Sequence, residues 1–156
     1  MFKPLRKSDY TTAACQWDPA INKDTMTEQE LREYLTTRDK NPACFRDKLK
    51  VKDGEKLTVF SIGVIPPEEM VRIIDDCKPG MDGMRMEELC WRAFLHSLRD
   101  IEGWGEEVRK KKVNGIEYVS PEWIKENFIR GYKAVAIDIG YQAWWWNNIR
   151  EDEIKN

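Results

Sequence analysis

The chain has 156 residues, 41% of them apolar and 35% charged, with 26 basic against 28 acidic side chains and a net charge of −2. That length suits one domain with an ordinary core, and the apolar content argues against global disorder. The mixed signs give no electrostatic case for nucleic acid or an anionic membrane as the partner.

No run approaches the roughly 18–20 apolar residues that a membrane span requires. The stretch Met1 to Asp9 lacks the apolar centre of a signal peptide, which points to a cytoplasm or to something assembled there. Four cysteines (Cys15, Cys44, Cys77 and Cys90) stand far apart, and His96 is the single histidine. No metal-ligand spacing results, so no metal is expected. Reduced cysteines near the core are the expected state, with a disulfide open only for an extracellular particle.

In chain order, Ser8 or Asp9 can cap a short helix that Asp18-Pro19 would end. Thr27 with Glu30 makes a capping box for a second helix carrying Leu31, Tyr34 and Leu35. The oxygen-bearing residues Asp18, Asn22, Asp24 and Glu28 between them lack the mid-loop glycine and ligand alternation of a calcium loop. Phe45, Leu49 and Val51, set among Arg46, Lys48 and Lys50, read as a strand. Asp53-Gly54 then turns the chain into Leu57 to Ile65, the strongest strand pattern, so a hairpin is expected.

Pro66-Pro67-Glu68-Glu69 opens a helix with proline in the first turn and acids at the positive end of its dipole. Met70, Ile73, Ile74 and Cys77 form its apolar face, and Lys78-Pro79-Gly80 stops it. A Met/Gly loop from Met81 to Met84 precedes the longest amphipathic pattern, residues 85–101, which contains His96. Gly103-Trp104-Gly105 ends it. Asn114-Gly115 centres a second hairpin, whose first strand carries the basic run Arg109 to Lys112. Ser120-Pro121-Glu122 caps a further helix bearing Trp123, Ile124, Phe128 and Ile129.

Gly131 then separates it from the apolar segment Ala134 to Ile149, which holds Trp144, Trp145 and Trp146 in succession. Neighbouring helical side chains point about 100° apart, so three consecutive tryptophans cover more than half the circumference. One small core would not bury all three. The charged tail from Arg150 to Asn156 is expected to fray.

No phosphate-cradling glycine loop, nucleophile elbow or facing acid pair is present, and His96 lacks a placed partner. The adjacent acids (Glu68-Glu69, Asp75-Asp76, Glu87-Glu88 and Glu106-Glu107) do not face each other on a helix. The expectation is a protein that is not an enzyme, with no catalytic residues and no cofactor. Candidate partner-binding residues are Trp17, Tyr141, Trp144, Trp145 and Trp146, since interfaces favour Trp, Tyr, Met and Arg.

The run from Gly54 to Met70 joins a charged turn, a Thr-hydrophobe-Phe strand, proline and an acid-capped helix. In this it resembles small morphogenesis and virion proteins of tailed bacteriophages, including tail-assembly-chaperone-like proteins. Some of these have a late Trp-plus-acid helix similar in style to Ser120 to Ile124. The resemblance implies a structural or assembly protein that binds other virion proteins, with a homo-oligomer allowed, in the virion or the bacterial host cytoplasm. Two alternatives stand beside it. One is a phage-encoded inhibitor or adaptor that binds a host protein. The other is a nucleic-acid-binding module using the 109–118 hairpin with tryptophans as stacking platforms.

The expected fold is α+β: a small antiparallel sheet of hairpins covered by three or four amphipathic helices, with an N-terminal helical arm. The arm would span 1–43 and the core domain 44–156, as one folding unit overall.

Overall fold

The computed structural model describes residues 5–38, 41–77 and 85–148. Among these, six helices combine with two small antiparallel sheets, an α+β architecture. The loop from Met81 to Met84, the Lys78-Pro79-Gly80 stop and the charged tail lie outside the described residues.

Strand β1 (Tyr10–Ala13) corrects the helix expected after Ser8. Asp9 closes a turn instead, its carboxylate accepting from the Arg6 amide at 2.8 Å. The Tyr-Thr-Thr run that follows favours the pleated backbone once a partner strand is at hand. That partner is β2 (Val59–Gly63), which lies between β1 and β3 (Leu98–Glu102) in an antiparallel sheet of order β1-β2-β3. The register runs from Tyr10↔Gly63 to Ala13↔Phe60 on one side and from Val59↔Glu102 to Ile62↔Leu98 on the other.

The segment between the two sheet strands also departs from expectation. Helix α1 (Glu28–Arg38) begins at the anticipated cap, with the Thr27 hydroxyl accepting from the Glu30 amide at 3.1 Å. Residues 42–48 form helix α2 (Pro42–Lys48), not the first strand of a hairpin. Asn41 caps it by accepting from the Cys44 amide at 3.1 Å, and Pro42 occupies its first turn. Phe45 and Leu49, read as alternating strand positions, are four apart and both buried, which is helical spacing. Val51 makes only a single bridge, to Ile21.

Helix α3 (Pro67–Cys77) follows the expected boundaries, with Ile73 and Cys77 buried while Ile74 stays exposed. Helix α4 (Met86–Ser97) is shorter than the 85–101 pattern, because Leu98 turns directly into β3 and pairs with the free edge of β2. Gly103, at φ +87°, takes the chain off that strand. Strands β4 (Lys110–Val113) and β5 (Ile116–Val119) form the predicted hairpin. Asn114 (φ 53°) and Gly115 (φ 82°) supply the two left-handed positions of its turn.

Helix α5 (Pro121–Phe128) starts at Pro121, but the Ser120 hydroxyl donates to the Glu122 carboxylate at 3.0 Å rather than capping the backbone. Helix α6 (Lys133–Asn148) carries the tryptophan triplet.

Three apolar clusters hold these elements. The largest joins the three-stranded sheet to α4, α5 and α6 through Phe60, Phe94, Phe128 and Ile139. The Phe94 ring meets Phe128 edge-on at 5.0 Å and Phe60 at 6.1 Å. Each such side chain stabilises the fold by about 1.5–3 kcal/mol through burial. A second cluster seats α3 on α4 through Ile73, Cys77 and Leu89, and Trp144 belongs to it. A third gathers α1, α2 and the chain near Ile21 around Phe45. The N-terminal region thus keeps its helical character in α1 and α2, while β1 ties it into the sheet.

Candidate functional site

Helices α4 and α6 pack backbone against backbone. A Cβ placed on Gly140 would stand 1.8 Å from the Cys90 carbonyl oxygen, so only glycine permits the approach. Where the helices separate towards Met86 and Lys133, a cleft of about 530 Å³ opens. Its walls include Met86, Cys90, Ile137 and Tyr141, and the N-terminal region closes it with Trp17 and Arg38.

The floor is charged but neutralised. Asp138 is buried in the apolar run Ala134 to Ile139 of α6. Its carboxylate accepts from the Gln16 amide at 3.1 Å, from Gln16 Nε2 at 2.8 Å, and from the Arg38 guanidinium. The same guanidinium lies 5.1 Å from the centre of the Tyr141 ring, a cation–π arrangement. One helical turn on, Gln142 Nε2 donates to the Ala14 carbonyl at 3.0 Å. Asp18 adds a further seam, accepting from the Thr58 amide at 2.8 Å. The contacts of Asp138 and Gln142 fasten residues 14–16 and the end of α1 to α6, while Asp18 ties the same segment to the chain before β2. At the cleft mouth Lys133 pairs with Glu87 at 3.4 Å.

Two cysteines stand near Asp138, and neither is set up as a nucleophile. Burial, reinforced by the Asp138 charge, pushes the Cys15 thiol far above its ordinary range. Burial, again with Asp138 adding, pushes Cys90 up to about 11. Both therefore remain protonated at neutral pH, and the thiolate is the reactive form.

His96 lies elsewhere, on α4 facing α3, with its Nε2 3.4 Å from Glu69. Burial lowers its pKa, opposed by Glu69 and assisted by Lys125, Arg92 and Arg72. Among the described residues, no group of three His, Cys, Asp or Glu side chains could hold a metal ion. None of the described helices is long and apolar enough to cross a membrane. In the basic hairpin, Arg109 pairs with Glu126 at 2.8 Å and Lys110 with Asp100 at 3.4 Å.

The structure brings two of the five candidate partner-binding residues, Trp17 and Tyr141, to the cleft, and a third, Trp145, against Tyr141. Trp17 is 57% exposed at the cleft and Tyr141 lines it. Trp145, 37% exposed, meets Tyr141 edge to face at 6.1 Å. Trp144 is only 9% exposed, within the second cluster. Trp146 is half-buried. The sequence reading missed Gln16 and Arg38. The signal was Asp138 itself, since a carboxylate inside an apolar helix requires a buried partner.

Comparison with protein-family models gives no match, and comparisons with curated proteins and with solved structures give none either.

Proposed function

We propose that the protein is a non-enzymatic structural or assembly protein of a tailed bacteriophage, acting in the virion or the host cytoplasm by binding other virion proteins. The observation that carries the binding role is the pairing of Trp17 and Tyr141 on one cleft, with the exposed Trp145 ring against Tyr141. Tryptophan, tyrosine and arginine dominate the energetics of protein interfaces when they line a partly preformed pocket. The cleft offers apolar and aromatic surface over a neutralised floor, with its neighbouring thiols held protonated. Such a surface suits contact, and the phage context rests on the pattern from Gly54 to Met70.

The test is binding of the purified protein to individually purified tail and capsid proteins encoded beside it. Trp17→Ala and Trp145→Ala should each weaken capture by about tenfold or more while the variants stay folded. If the wild-type protein captures none of them, or if both variants bind like wild type, the reading fails. An inhibitor or adaptor acting on a host protein would use the same aromatic face, and capture of a defined host protein instead of a virion protein would select it. The nucleic-acid reading is weakened by the acids beside Arg109 and Lys110. Its signature would be binding to DNA or RNA at low salt.

A further inference from the structure

Helix α3 is seated on α4 along a seam with little apolar contact. Of its 11 residues Ile73 and Cys77 are buried, and they pack with the partly buried Met70 against Leu89 and Ala93 of α4. Val71 and Ile74 remain exposed. Two cavities interrupt the seam. One of about 360 Å³ lies between Arg72 and Ile73 of α3 and Trp91 and Arg92 of α4. Another, of about 130 Å³, lies between the start of α3 and the β4–β5 hairpin. Empty space forfeits dispersion contacts, so such a seam opens at lower cost than a close-packed one.

His96 and Glu69 line both cavities. The imidazole Nε2 is 3.4 Å from the Glu69 carboxylate, which also accepts from Arg72 at 2.9 Å. The other charges around the ring are mostly positive. Besides Arg72 from α3, α5 brings Lys125 and β4 brings Lys111. From β5, Tyr118 donates its hydroxyl to the Val64 carbonyl at 2.7 Å. On α4 itself, Arg92 pairs with Glu88 at 2.8 Å and with Asp76 of α3. A proton on His96 thus adds a cation to a half-buried seam where cations already outnumber acids.

We propose that α3 is an acid-released flap: charging His96 favours a state in which α3 has lifted from α4. In that state the imidazole is hydrated, Arg72 has moved away with α3, and Leu89 and Ala93 lose their cover. Burial weakens proton binding in the closed state, so closure is complete above the ordinary value of 6.5 and is lost as pH falls from there. The device is independent of the aromatic cleft and of any partner bound there.

The experiment is hydrogen exchange of the full chain, read on peptic fragments as protection relative to the unstructured peptide at each pH. One proton taken up on opening raises the open population by at most about tenfold per pH unit. Between about pH 7.5 and about pH 5, protection in Pro67–Cys77 should fall at least about threefold. The region around Phe94 in the largest cluster should keep its protection. His96→Gln should abolish the fall. Glu69→Gln removes the acid beside the imidazole and should deepen it.

Protection in α3 that stays flat in acid overturns the proposal. A rise does so too, because the charged imidazole would then be tightening its pair with Glu69. Equal losses in α3 and around Phe94 would mean that the whole fold gives way, with no separate flap. A response that survives in His96→Gln, or vanishes in Glu69→Gln, would place the titrating group elsewhere. Should His96→Gln fail to fold, the Glu69→Gln result still decides.

Discussion

Arg38 and Asp138, one hundred residues apart in the chain, form a buried ion pair at the floor of the cleft. Asp138 also accepts two hydrogen bonds from Gln16, so its charge is met from two directions. Removing Asp138 takes the carboxylate away from the largely buried Arg38 guanidinium and the acceptor away from Gln16. Asp138→Ala should therefore lower stability by about 3–5 kcal/mol. Replacing both by apolar residues, as in Arg38→Met with Asp138→Leu, should recover most of that loss. Urea unfolding of the single and double variants checks both statements.

Gly140→Ala tests the close approach of α4 and α6. In an open helix this change stabilises by up to about 1 kcal/mol. Here the new methyl would meet the Cys90 carbonyl, and backbone cannot rotate away as a side chain can. The sign should reverse, with a loss of about 1–3 kcal/mol or more. A lowered thermal midpoint is the readout, and an unchanged one would mean that the helices part easily.

The tryptophan triplet should divide by burial. Trp144→Ala empties part of the second cluster and should cost about 3–5 kcal/mol. Trp145→Ala removes an exposed ring that meets Tyr141 edge to face, and should cost no more than about 0.5–1.5 kcal/mol. Chemical denaturation of both variants checks the difference. Equal losses would make the whole triplet part of the core and remove the basis for a binding role at Trp145.

His96 gives the fold an acid-side sensitivity. Its imidazole binds a proton less readily in the folded chain than in the unfolded one, chiefly because of burial. The unfolded state therefore takes up the extra proton first as the pH drops. The contribution is complete above the ordinary value of 6.5 and is lost as pH falls from there towards the folded value. His96→Gln should flatten this part of the stability profile. A profile below 6.5 that is identical in the variant would refute the assignment.

Thiol labelling should follow exposure and charge. Cys15, Cys77 and Cys90 are buried, with their thiols pushed up by burial, while Cys44 is half-exposed. Iodoacetamide at neutral pH should modify Cys44 first in the native protein. Early labelling of Cys90 would mean that the cleft wall opens on the timescale of the reaction.

Local signals carried much of this architecture, and long-range partners decided the remainder. The capping box at Thr27, the proline start of α3 and the Asn114-Gly115 turn are complete within a few residues, so they were legible. Tyr10 to Ala13 became a strand because β2 offered an edge, and that edge lies nearly fifty residues away. The same β2 claimed Leu98 to Glu102 from the end of an amphipathic helix. Phe45 and Leu49 fit both periods over so short a stretch, and Asn41 with Pro42 held the deciding cap. At the cleft, the aromatic residues could be named from composition and spacing. Arg38 and Gln16 could not, because only the fold brings them to Asp138.

Leu98 ends α4 and begins β3 with no linker: its amide donates to the Phe94 carbonyl, and it also pairs with Ile62. The helix that forms one wall of the cleft is thus spliced into a sheet strand. Any rotation of that wall would have to drag a hydrogen-bonded ladder with it. Stiffness of this sort lowers the ordering entropy lost on association. On the proposed reading, a partner would meet a cleft wall that the sheet already holds in place, and differences in affinity there would fall mainly on the dissociation rate.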